Sequence, residues 1–83
     1  MTYEVVWSVP ALDRAAGLLR DDGAGVAAVM DAVDELADDP FPDSSIGLGS
    51  DDLRRMHVGR YRVMFEVDHV PGTVTVVHLG RLG

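Results

Sequence analysis

Residues 53–68, LRRMHVGRYRVMFEVD, restrict this chain to few folds. Two runs of alternating side chains flank Gly59-Arg60, the pattern of an antiparallel hairpin closed by a two-residue turn. That turn sets Val58 against Tyr61, His57 against Arg62, and Arg55 against Met64. One face then carries Met56, Val58, Tyr61, Val63, Phe65 and Val67. It is apolar and needs a cover. The other face carries Leu53, Arg55, His57, Arg62, Met64 and Glu66. A slip of one residue would turn the cations into the core, so the pattern fixes the register.

The cover comes from the first half of the chain. Residues 3–8, YEVVWS, read as a strand with Tyr3, Val5 and Trp7 on one face. Ser8 or Val9 caps a helix that has Pro10 in its first turn and runs over residues 11–21. Leu12, Ala15, Ala16 and Leu19 form its apolar stripe. Asp21-Asp22-Gly23 breaks this helix and caps the next, over residues 24–38. There Val26, Val29, Met30, Val33, Leu36 and Ala37 face inward, and Asp31, Asp34, Glu35 and Asp38 face out. Pro40 ends the second helix. Residues 40–51, PFPDSSIGLGSD, read as a loop plugged by Phe41, Ile46 and Leu48. Strands follow at about 52–58, 60–68 and 73–80, the last two joined at Pro71-Gly72. The predicted order is β-α-α-β-β-β. A helical hairpin covers one face of a mainly antiparallel four-stranded sheet, an α+β domain spanning residues 1–83.

Charge is unevenly spread. Residues 1–52 hold twelve Asp or Glu against two Arg, whereas residues 53–83 hold two against five. The whole chain carries −7. Non-specific nucleic-acid binding scales with phosphates neutralised, so this balance disfavours it. A locally basic hairpin on an acidic body remains suited to one anionic partner. Absence of cysteine excludes disulfides, thiolate metal sites and a thiol nucleophile, and fits a reducing cytoplasm. No apolar run reaches the roughly 20 residues of a membrane span, and the N-terminus lacks a signal-peptide pattern. The expected location is cytoplasmic. No spacing of His, Asp and Glu suggests a metal cage, and no cofactor motif is present.

Arg55, His57 and Arg62 share the open face of the hairpin. Arg holds phosphate with a planar, permanently charged fork. His titrates near neutrality and can move a proton. Phosphodiester cleavage by a 2′-hydroxyl needs a proton acceptor, a proton donor and cations for the charge that develops on phosphorus. This trio supplies the charge and one proton-transfer group, and leaves the second without an owner. A solvated sheet face, with Arg55 and Arg62 paired to Glu66, satisfies the same alternation. His69 reads as a turn residue. His78, by alternation along the last strand, is expected to lean toward the helices. Trp7 and Tyr61 read as core.

The order of elements, YEVVWS entering a helical hairpin, DDP closing the second helix, R.HVGRYRVMFEV and the ending VTVVHLGR together resemble the RelE/ParE superfamily of bacterial type II toxins. The resemblance covers nearly the whole chain and is most specific at R.HVGRYRVMFEV, which is similar to the RelE branch. It implies a ribosome-dependent endoribonuclease that cuts messenger RNA without a metal, and a cognate antitoxin as partner. Carried over by position, it makes Arg55, His57 and Arg62 catalytic candidates and adds Arg60 and Arg81 as substrate-binding candidates. Family members usually continue with a basic pair and a catalytic Tyr or His. Here Arg81 matches the first basic position, Leu82 stands where the catalytic Arg would be, and no terminal Tyr or His follows. The resemblance thus leaves three roles open: an mRNA interferase of full or weakened activity, a toxin fold that only binds its antitoxin, or a ParE-like inhibitor of DNA gyrase.

Overall fold

The computed structural model describes residues 2–82. Met1 and Gly83, the last residue of the C-terminal stretch compared above, lie outside them. The elements are β1 (Glu4–Trp7), α1 (Val9–Leu19), α2 (Gly23–Glu35), β2 (Ser45–Gly47), β3 (Leu53–Val58), β4 (Tyr61–Asp68) and β5 (Thr73–Arg81). They form one sheet in the order β1-β5-β4-β3-β2. β1 runs parallel to β5 and every other pairing is antiparallel. The α+β architecture is as expected, with five strands instead of four. The extra strand, β2, lies inside the expected loop. It is short and half polar, so periodicity gave no sign of it. Arg54 holds it in place: its Nε donates to Ser45 Oγ (2.9 Å) and Nη1 donates to the Asp51 carbonyl (3.0 Å). The guanidinium also lies over the Phe41 ring, 5.1 Å from its centre.

Both helices begin as their cap residues dictate. Ser8 Oγ accepts from the Ala11 N–H (3.3 Å), and Asp22 Oδ1 accepts from the Gly25 N–H (3.0 Å). Each side-chain oxygen satisfies an N–H that has no partner inside its helix. The core lies between the helices and one sheet face. Val29, Val33, Leu36, Tyr61, Val63, Phe65, Val74, Val76 and Leu79 are sealed from solvent.

The buried stripe of α1 is one position off the expectation. Ala11, Ala15 and Leu18 meet the core, whereas Leu12 and Leu19 stay 50 % and 55 % exposed. Small Ala side chains let the helix approach β5 closely, and that close packing outweighs burial of two leucines. Leu12 and Leu19 instead border a shallow apolar groove of about 230 Å³ with Ala16, Val26 and Met30. The expected plugs Phe41 and Ile46 are also exposed. Phe41 stacks on His69 at 5.7 Å between ring centres. His69 in turn bonds the Tyr3 hydroxyl (3.0 Å) and Asp52 Oδ1 (3.1 Å), so this turn residue ties the β4–β5 turn to both flanking segments.

Candidate functional site

The turn at Gly59-Arg60 fixes everything on the open face. Gly59 takes φ 59°, a conformation that costs a residue with a side chain about 1–2 kcal/mol. With that turn, Val58 pairs with Tyr61, His57 with Arg62, Arg55 with Met64 and Leu53 with Glu66. Met56, Tyr61, Val63, Phe65 and Val67 are buried against the helices, as the alternation requires. Arg55, His57 and Arg62 therefore emerge together on the opposite face, as expected. Salt bridging does not occupy them. Among the described residues the one ion pair is His69 with Asp52. Arg62 Nε is buried without a hydrogen-bond partner there.

His78 departs from the expectation. A register shift lies between Met64, which faces His78, and Phe65, which faces Val76. Val77 is the extra residue, a β-bulge. Strict alternation from Val76 would put His78 inside and Leu79 outside. The bulge reverses this: Leu79 is 1 % exposed and His78 is exposed on the open face. Burying Leu is favourable by about 1.5–3 kcal/mol, whereas burying an imidazole without a partner is costly. The doublet Val76-Val77 inside VTVVHLG was the available sign, because adjacent apolar residues break a period-two strand.

His78 then joins the trio. Gly80 pairs with Arg62, so His57, Arg62 and Gly80 form one row across three strands. Arg55, Met64 and His78 form the neighbouring row. A methyl group at Gly80 would lie 3.2 Å from His78 Nε2 and 4.0 Å from Arg62 Nη2. The imidazole and the guanidinium thus lean over the same bare stretch of backbone. His57 stands on the far side of Arg62, at the mouth of a cleft of about 260 Å³ bordered by α2 and the 39–44 loop. Two imidazoles flank one guanidinium, with Arg55 beside them. Such a group can hold a phosphate and move protons at both of its ends.

Arg81 is placed elsewhere. Arg81 pairs with Tyr61 across β4 and β5, on the side that faces the helices. Tyr61 donates to Asp22 Oδ2 (2.8 Å), joining β4 to the first turn of α2. Gly25 makes room for this contact, because a methyl there would lie 2.8 Å from the Tyr61 ring. The Tyr61 hydroxyl and then the Gly25 N–H hold the Asp22 carboxyl below its ordinary value, and the charges of Arg60 and Arg81 add to this. Burial, then the bond to Asp22, pushes the Tyr61 phenol up. Arg81 thus belongs to a helix-cap network apart from the Arg55–His57–Arg62 face, and Arg60, exposed in the turn, adds its charge there. Among the described residues no three His, Asp or Glu gather closely enough for a metal ion. No helix of the structure is long and apolar enough to cross a membrane.

A family model, the ParE toxin of type II toxin–antitoxin systems, matches residues 5–81. The chain belongs to this toxin family. The wider resemblance to RelE/ParE toxins is confirmed by solved structures. The archaeal RelE–RelB complex from Pyrococcus horikoshii contains a chain 26% identical, with all of this chain and 98% of that one covered at a TM-score of 0.83. The RelBE2 toxin–antitoxin complex from Mycobacterium tuberculosis matches at 19% identity and TM-score 0.79, covering 98% and 99%. A mutant of the E. coli toxin RelE in the free state matches at 18% and 0.82, covering 98% and 84%. The last two share the fold. No curated protein sequence matches the chain.

The cap network gives a prediction for this toxin. The Asp22 carboxyl sits below 3.8 when folded, so the unfolded chain binds the extra proton as pH falls. Its contribution is fully present above about pH 5 and is lost as pH drops through the folded value. The Tyr61 phenol sits above 10.0, so its contribution holds below that pH and is lost at higher values. Thermal melts from pH 3 to 7 should show a smaller acid-side loss in Asp22→Asn than in the natural chain. Equal slopes would show that this carboxyl contributes nothing to acid sensitivity.

Proposed function

We propose that the chain is a RelE-like toxin that cleaves messenger RNA on the ribosome, in the cytoplasm, with Arg55, Arg62 and His57 as its working residues. The observation that carries this reading is the convergence of Arg55, His57 and Arg62 on one face, with no salt bridge to them among the described residues. Arg55 and Arg62 would hold the scissile phosphate and offset the charge that develops on it. His57 would transfer a proton. The net charge of −7 weighs against tight binding of free RNA, and the ribosome would supply the orientation and the further cations.

The family match itself bears the ParE name, which favours a second reading, inhibition of DNA gyrase. The open face decides our preference, since an Arg/His cluster suits phosphodiester chemistry and gyrase inhibition makes no use of its proton transfer. A third role, a toxin fold that only binds its antitoxin, follows if the face proves inert.

A cognate antitoxin is part of all three readings. The relatives solved as RelE–RelB and RelBE2 complexes support such a partner. We place an acidic or apolar antitoxin segment near Arg55 and Arg62, where it would cover the open-face cations. The exposed Leu12 and Leu19 offer it an additional apolar contact.

Incubation with programmed ribosomes should yield cut messenger RNA, with the rate reduced about tenfold or more in His57→Ala and in Arg62→Ala. Cleavage unchanged by both substitutions removes this assignment. Blocked supercoiling by gyrase, without cleavage, supports the second reading. For the partner, hydrogen exchange in the co-expressed complex should show protection of residues 53–65. Protection confined to residues 11–39 would contradict the proposed placement.

A further inference from the structure

We propose that His78 is the second proton-transfer group of the site, acting opposite His57 across Arg62. This rests on the RNA-cleaving reading above and fills the role that the hairpin alone leaves vacant.

Three observations place it. The bulge at Val77 turns the His78 ring onto the open face, opposite Met64. Nε2 leans over Gly80, within 3.2 Å of where a side chain would begin, beside Arg62 Nη2. His57 lies in the row of Arg62 and Gly80, on the strand beyond. Strand spacing puts the two His backbones about 9–10 Å apart across the sheet and about 7 Å apart along it. Side chains reaching inward from both could close on the two ends of one phosphodiester, with Arg62 between them. Gly80, without a side chain, lets the imidazole and the guanidinium come together over the backbone.

The chemistry balances without a co-reactant. The 2′-oxygen bonds to the adjacent phosphorus and its proton passes to the neutral imidazole. The bond from phosphorus to the 5′-oxygen breaks, and that oxygen takes a proton from the imidazolium on the other side. The products are a 2′,3′-cyclic phosphate and a 5′-hydroxyl, and proton exchange with water restores the two rings. Arg62 and Arg55 offset the charge gathered on the phosphate oxygens.

The charged neighbours of each ring are few. Beside His78 stand Arg62 from β4 and, across a cleft of about 180 Å³, Arg14 from α1. Beside His57 stand Arg62 from β4, Arg55 on its own strand, and Glu35 and Asp39 across the cleft to α2 and its following turn.

The chain has three His, and His69 is engaged away from the site by Tyr3 and Asp52. It serves as an internal control. Titration of the free protein with inorganic phosphate, followed by imidazole NMR resonances, should shift His57 and His78 and leave His69 in place. A stationary His78 beside a moving His57 overturns the proposal. In single-turnover cleavage of messenger RNA on programmed ribosomes, the natural chain should give a bell-shaped pH–rate profile. His78→Ala and His78→Asn should each lose one limb and about tenfold or more in rate at the plateau, with thermal melting unchanged. A natural chain that cleaves, with both variants retaining its rate and both limbs, overturns the role of His78 and leaves the ribonuclease reading standing. A natural chain that does not cleave overturns both.

Discussion

The six register pairs between β3 and β4, from Leu53–Glu66 to Val58–Tyr61, decide which side chains are buried and which can act. A period-two strand has no intermediate setting. Moving the hairpin by one residue would expose Tyr61, Val63 and Phe65, and would bury Arg62 without a counter-ion. Each misplaced apolar side chain forgoes about 1.5–3 kcal/mol, and an unpaired buried cation costs several more. The Gly59 turn and the apolar face therefore agree on one register. The open-face cluster is a by-product of that agreement, because the cations occupy the positions that the core rejects.

Strong local patterns were legible in the sequence. The hairpin faces, the Ser8 and Asp22 caps and the burial of Tyr61 follow from alternation and capping chemistry alone. What was not legible depends on competition between elements. The inward face of α1 was set by how closely Ala11 and Ala15 can approach β5, so Leu12 and Leu19 were left outside. β2 is a three-residue strand recruited by Arg54, whose bonds to Ser45 and Asp51 no periodicity announces. Arg81 fell beside Tyr61, on the helix side. His78 lies on the side that strict alternation does not expect, because of the bulge that Val76-Val77 marks. These differences share a cause. Pairing with a neighbour, rather than local preference, chose the outcome.

On the proposed reading, an acidic chain with a small basic face would take RNA only where other groups supply the remaining cations. The same face, whose Arg55 and Arg62 are in no salt bridge among the described residues, would suit an antitoxin that brings carboxylates. Substrate and antitoxin would then compete for one surface, and the toxin would be silenced by occupation. The Asp22–Tyr61–Arg81 network lies on the other side of the sheet. It joins α2 to β4 away from the open face.

Placement of His78 is the point on which the account turns, and nuclear Overhauser contacts of its ring measure it directly. The account predicts contacts from the imidazole protons to the Met64 methyl, the Gly80 α-protons and the Arg62 side chain. Contacts to Leu18 or Phe65, deep among the helices, would place the ring on the other side and contradict it.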